Sequence, residues 1–211
     1  ITILFLILTI TGFYKKFNQL VISSTQKKIQ DGVEVFERYN NEGSGVSYGI
    51  ENQWKYQNDD IQIILSYTWS KSTRTNPRDG EYNFEYDQTH NLNLIGIYPL
   101  ANDWKISGRY RYVTGNPYTP VVGSTYDADN ETYFPIRGGI YTERNNPFQQ
   151  LDLRLDKKVI LDEEIWTFYL DIQNVLNIKN SEGVQYSYDY KIKQDVTGLP
   201  LLPSIGVRGE F

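Results

Sequence analysis

The stretch Gln149–Gln173, QQLDLRLDKKVILDEEIWTFYLDIQ, decides the fold. Leu151, Leu153 and Leu155 alternate with Gln150, Asp152, Arg154 and Asp156. Further on, Trp166, Phe168, Leu170 and Ile172 alternate with Thr167, Tyr169, Asp171 and Gln173. A period of two means β-strand, because successive side chains leave opposite faces of the pleat. The acidic link Leu161–Glu164 is short enough to make the two runs a hairpin. One face is wholly apolar and holds aromatics; the other carries charges of both signs. The apolar face must meet either a second sheet, as in a soluble sandwich, or lipid, as in a membrane barrel with a wet, charged interior.

The same rhythm runs outward along the chain. Val46, Tyr48, Ile50, Trp54 and Tyr56 share one phase of Val46–Gln57. Ile61, Ile63, Leu65, Tyr67 and Trp69 do so in Ile61–Ser70, and Trp104, Ile106, Tyr110 and Tyr112 in Trp104–Thr114. Thr89–Tyr98 is weaker, since Ile95 and Ile97 blur its alternation. Ile205–Phe211 forms a last strand and Thr9–Phe17 a first. Ile1–Ile10 is apolar almost throughout. It lacks the basic start and cleavage site of a signal peptide and reads as the beginning of that first strand.

Connections at 58–60, 101–103 and 161–164 are short, and those at about 18–45, 71–88, 115–147 and 177–203 are long and polar. Short and long alternate, as in outer-membrane barrels with short periplasmic turns and long extracellular loops. All four tryptophans fall on the apolar phase near strand ends. Trp54, Trp104 and Trp166 sit beside short turns, and Trp69 beside a long loop. With Tyr48, Tyr67, Tyr110 and Tyr112 at one end and Tyr56 and Tyr98 at the other, they form two aromatic belts. A sandwich core would instead put its bulk mid-strand. The reading is all-β: an antiparallel transmembrane barrel segment of about eight strands, one unit over 1–211 with no internal linker.

Composition agrees. Mean hydropathy is -0.53 and 15% of residues are aromatic. No run reaches the roughly 20 apolar residues of a membrane helix, but barrel strands turn only half their residues to lipid. A net charge of -5 argues against nucleic acid, which wants a basic footprint. With no Cys, disulfides and thiolate metal sites are excluded. A chain without Met is processed or is part of a longer one.

In order along the chain stand Thr11-Gly12-Phe13-Tyr14-Lys15, Gly45–Glu51, Tyr86-Asp87-Gln88-Thr89-His90 and Thr114-Gly115-Asn116-Pro117-Tyr118-Thr119-Pro120. Then come Arg144–Asp152, Tyr169–Val175 and Leu199–Phe211. This ordered set resembles the C-terminal barrel portion of TonB-dependent outer-membrane receptors. Each motif alone is weak; the series is specific. The resemblance implies an energy-coupled importer of a scarce ligand such as a siderophore, cobalamin or an oligosaccharide, located in the bacterial outer membrane. It also implies a barrel of about 22 strands with a plugged lumen. Its partners would be outer-membrane lipid, the barrel-assembly machinery, a plug domain and an inner-membrane energy-coupling protein. The sequence contains neither the plug nor the coupling motif. The competing reading is a self-contained eight-stranded barrel with a structural or binding role.

Glu51, Arg109, Arg111, Asp152, Arg154 and Asp171 occupy the polar phase and are the candidates for contact with a ligand or plug. Residues of this kind also form solvated salt-bridge lattices on barrel walls. His90, the only histidine, has no nucleophile or second ligand in pattern with it and belongs to a rim motif. Neither a catalytic residue nor a cofactor is expected. Asp127, Asp129, Asn130 and Glu131 have oxygens spaced for calcium, but Thr132 stands where an EF-type loop needs glycine. The cluster reads as a solvated loop, and no metal is expected. Phe211 ends the chain on the apolar phase, beside Trp166, and resembles the terminal aromatic read during barrel assembly.

Overall fold

A computed structural model describes residues 5–24, 26–30, 32–162 and 164–211. Its main sheet is an antiparallel meander, β1 (Phe5–Ser23), β2 (Tyr39–Gln57), β3 (Gln62–Asn76), β4 (His90–Pro99), β5 (Trp104–Val113), β6 (Phe148–Leu161), β7 (Glu164–Gln173) and β8 (Leu202–Glu210). Each strand pairs with its neighbour in sequence, and Gly80–Asn83 adds a short ninth strand on β3. Among the described residues β1 and β8 do not pair with each other, so the sheet is open. The part of Ile1–Ile10 before Phe5 lies outside the described residues.

Register joins the eight alternations into one pattern, because directly paired residues share a face. Leu8 pairs with Trp54, Trp54 with Leu65, Leu65 with Leu94, Leu94 with Tyr110, and Tyr110 with Leu151. Leu155 pairs with Leu170 and Leu170 with Ile205. Every apolar phase thus falls on one side. That side has no second layer: Trp54, Phe168 and Val207 are 47%, 50% and 53% exposed. Among the described residues, Val113 is the only buried Val, Leu, Ile or aromatic side chain. A sandwich is excluded, since its aromatics would be its core. Ile95 and Ile97 fall on the polar side, opposite Ile64 and Gln62, which is why they blur the alternation of β4.

The short connections hold tight turns. Asn58 Oδ1 accepts from the backbone N–H groups of Asp60 (3.0 Å) and Ile61 (2.7 Å). Asn102 and Asp103 both have positive φ, 56° and 57°, as a two-residue hairpin turn with the sheet's own twist requires. In the last hairpin, pairing continues to Leu161–Glu164, so the link is shorter than the sequence implied.

The long connections differ from expectation, because strands continue into them. β1 runs to Ser23, β2 starts at Tyr39 and β3 reaches Asn76, all inside stretches read as polar loops. Trp69 is therefore mid-strand in β3 rather than at a strand end. It pairs with His90, the first residue of β4, and so marks the level at which the shorter strands stop. Two-stranded ribbons fill the connections themselves: Lys27–Gln30 with Val33–Phe36, Val121–Asp127 with Thr132–Arg137, and Ser181–Tyr186 with Lys193–Thr197. β8 begins at Leu202 and includes Pro203, which a strand with one partner tolerates.

Candidate functional site

The polar phase forms the inner wall, and four of the six charged candidates meet there. Arg109 on β5 stands opposite Asp152 on β6, and Arg154 opposite Asp171 on β7. Asp152 Oδ2 accepts from Arg109 Nη2 (2.7 Å) and Nε (3.2 Å). Its Oδ1 accepts from Gln150 Nε2 (2.7 Å) and from the backbone N–H of Asn174 (3.0 Å). The Arg154 guanidinium lies 4.0 Å from the centre of the Tyr169 ring, with Nη1 4.0 Å from Asp171 Oδ2. Both carboxylate-bearing rows border a depression of about 300 Å³ that also includes Ile95 and Ile97.

Two candidates stay apart. Glu51 lies between Thr11 and Thr68 on the far strands of the wall. Arg111 faces the Phe148 ring at 5.3 Å. Phase alone put all six on one face, but it carries no information about which strands become neighbours. Sequence reasoning left out Asp156 and Lys105, although both continue the polar phase. Asp156 is buried, accepts from Arg154 Nε (3.0 Å) and Nη2 (2.8 Å), and has Lys105 Nζ 3.7 Å away. Arg109 and Lys105 keep more than half of their side-chain surface in water and Arg154 over a third, which screens the cation end of each pair, while the carboxylates of Asp152 and Asp156 are buried. The lattice fixes where positive and negative groups stand.

Among the described residues the most deeply buried charge lies above this wall, at the long-connection end. It is Asp87, the one fully buried side chain among the described residues. Its Oδ2 accepts from Lys71 Nζ (3.1 Å) and Arg144 Nη2 (2.5 Å), and its Oδ1 from the Ser72 backbone N–H (2.5 Å). Arg144 also donates to the backbone oxygens of Asp87 and Gly115. Gln88 Nε2 donates to Asn116 Oδ1 at 3.0 Å. A Cβ on Gly115 would stand 1.9 Å from Asn145 O, so only glycine permits that crossing. Three motifs far apart in sequence, around Asp87, Gly115 and Arg144, are therefore parts of one clamp. A second joins β6 to the last long connection. Asn180 pairs with the backbone N–H and carbonyl of Gln149 (2.7 and 2.8 Å), and Asn174 bonds to Ile178 and Leu199.

Outside the strands of the wall, the ribbons are stitched together. Ser124 Oγ donates to Asp189 O (2.7 Å), Asn146 Nδ2 donates to Asp195 Oδ2 (2.8 Å), and Tyr118 lies between Glu143 and Lys193. Burial, then the bond to Glu143, raises the Tyr118 phenol above its ordinary value and keeps it neutral. Asp127 uses its oxygens in its own turn, accepting from Asp129 N–H (3.0 Å) and Asn130 Nδ2 (2.8 Å). The Asn130 bond is the first cause of its lowered pKa. His90 lies on the apolar side, its Nδ1 2.9 Å from the Tyr67 hydroxyl. Phe211 meets Trp166 edge to face, with ring centres 5.5 Å apart.

An antiparallel meander with an unbacked apolar face, a charged opposite face and alternating short and long connections is a segment of membrane β-barrel wall. The family model described as TonB dependent receptor-like, beta-barrel, matches residues 4–175, and the chain belongs to that family. Among solved structures it is similar to the closed form of the ferric-catecholate import receptor Fiu from Escherichia coli K12. Identity is 18% and the TM-score 0.58, with 97% of this chain and 25% of that one covered. The chain thus spans a quarter of the length of the receptor it matches. A comparison with curated proteins finds no match.

Proposed function

We propose that these residues form part of the barrel wall of an outer-membrane receptor that takes up a scarce ligand by energy-coupled transport. The observation that carries this reading is the register, which places eight apolar phases on one face and the Arg109–Asp171 lattice on the other. Family membership supplies the transport class. The ligand belongs to the siderophore, cobalamin or oligosaccharide type. A plug domain fills the lumen and meets the charged wall, and an inner-membrane energy-coupling protein drives it. Lipid covers the apolar face, and Phe211 serves recognition by the assembly machinery. The protein is not an enzyme, and His90 has a structural role beside Tyr67. A closed eight-stranded barrel is less well supported, since among the described residues β1 and β8 do not pair with each other.

The test is uptake. Cells deleted for the gene encoding this chain are given labelled ferric siderophores, cobalamin or maltooligosaccharides. Loss of one uptake, restored by the gene and abolished by a protonophore, is the expected result. Unchanged uptake of all three classes contradicts the proposal.

A further inference from the structure

The inner wall is unevenly charged. From Gln62 to Ser70 on β3, and from Asn91 to Ile97 on β4, every inward residue is uncharged. The charges gather on β5–β8, and there they are layered. The carboxylates lie against the strands: the side chains of Asp152 and Asp156 are 12% and 6% exposed. The cations lie over them: Arg109, Lys105 and Arg208 are 59%, 51% and 70% exposed. Glu210 is also open to water but is paired with Arg208. Two further cations make no ion pair among the described residues. Arg111 is exposed beside the Phe148 ring, and Lys158 is exposed opposite Thr167. The lumen therefore meets positive charge laid over a buried negative layer.

The extent of this layer limits what it fits. Lys105 and Arg111 stand on one strand, about 20 Å apart at the rise of a β-strand, and β5 to β8 spans about 14 Å across. One small anion touches only part of such a surface. At the short-turn end the wall is hollowed by a concavity of about 960 Å³, bordered by Lys105, Arg154, Lys158 and Arg208. A polypeptide segment with several carboxylates matches it, since guanidinium and ammonium groups pair with carboxylates one by one. The proposed plug domain is the polypeptide that such a lumen holds.

We infer that the inner face of β5–β8 docks an acidic segment of the plug domain, whose carboxylates meet Arg109, Arg111, Lys158 and Arg208. The uncharged face of β3 and β4 makes no such contact, so the plug is held from one side. The inference rests on the proposed receptor function, because it names the chemistry of the domain that fills the lumen.

Cover of the wall is measured on the purified full-length receptor, with any other cysteine replaced by serine. Ser107→Cys on β5 and Ser66→Cys on β3 place single thiols on the inward phase. Each is reacted with N-ethylmaleimide, a neutral reagent. The screening length falls from about 30 Å at 0.01 M salt to about 3 Å at 1 M. Modification at 107 should be slow at low salt and rise about tenfold at high salt, while that at 66 changes less than about twofold. Screening alone would raise the pKa of a thiol beside these cations and slow its reaction, so a rise reports uncovering. Arg111→Gln with Lys158→Gln leaves no carboxylate of the wall without its partner. This double variant should bring the low-salt rate at 107 close to the high-salt one, and Arg111→Lys with Lys158→Arg should keep it slow. The salt series needs no charge variant and decides the matter if the Gln variant fails to assemble. Fast modification at 107 at low salt means that nothing covers the wall and leaves its cations to a diffusible anion, which overturns the inference. Slow modification that either salt or the Gln variant fails to speed, or an equal salt response at 66, overturns it too. Charge-dependent cover without energy-dependent uptake leaves the docking surface standing and overturns the transport function.

Discussion

Asp87 shows what a rim motif does. A carboxylate with no exposed side-chain surface is tolerable only when its charge is compensated and its lone pairs are filled. Lys71, Arg144 and the Ser72 backbone N–H do both. Removing one partner of such a cluster leaves uncompensated charge, at a cost of about 3–5 kcal/mol. The Asp87→Ala receptor should therefore assemble, because Asp87 lies above the wall, but lose the docking of residues 114–147. On intact cells, external protease should cut that segment at least tenfold faster than in wild type. Equal cleavage would show that Asp87 does not hold it. The sequence shows the motifs around Asp87, Gly115 and Arg144 but not that they meet. Asp87 and Arg144 lie 57 residues apart, and their meeting depends on β4, β5 and the crossing at Gly115. The alternation of Leu151–Leu155, in contrast, needs no partner to be read.

At the scale of the strand, the decisive quantity is the face each phase presents. Leu153 pairs with Gly108 and Ile172 near the middle of β6, on the apolar side. Thr68 pairs with Glu51 and Asn91 on the polar side. An arginine at the lipid midplane costs about 2–4 kcal/mol, whereas one in a wet lumen does not. Leu153→Arg should lower the heat-modifiable, folded receptor in outer membranes several-fold, while Thr68→Arg, beside Glu51, should leave it near wild type. The reverse order would mean that the faces are inverted. Strand existence and phase were legible because successive side chains leave opposite faces of a strand, and here one face is apolar and the other charged. The ribbons in the long connections were not. Val121–Asp127 reads VVGSTYD and Lys27–Gln30 reads KKIQ, with no clean alternation. Those ribbons depend on their partners and on contacts such as Ser124 with Asp189. The extension of β3 to Asn76 was hidden for a related reason. Above the level of His90 the outward residues of β3, Lys71, Thr73 and Thr75, are polar, so the apolar phase stops while the hydrogen bonds continue.

For the molecule as a whole, one sheet performs two separations. Its apolar face carries no core, and its inner face sets Arg109, Asp152, Arg154 and Asp171 in fixed alternation. The clamps at Asp87 and Asn174 then hold the long connections over one end. The inward group was legible in the sequence as a set of residues on one face. Its division into a meeting cluster and two outlying members, Glu51 and Arg111, came only with the register.

The claim on which everything else depends is that this sheet separates lipid from water. The chain contains no cysteine, which makes a direct test straightforward. Single cysteines at Ile63, Ile64, Leu65, Ser66, Tyr67 and Thr68 of β3, in the full-length receptor with any cysteine outside this chain replaced by serine, in native outer membranes, are spin-labelled one at a time. Each label's accessibility to oxygen, which partitions into lipid, is compared with its accessibility to a water-soluble nickel chelate. The expected result is a strict period of two: oxygen dominates at 63, 65 and 67, and the chelate at 64, 66 and 68. Equal access of the chelate to both phases, or oxygen dominance at 64, 66 and 68, would contradict the account.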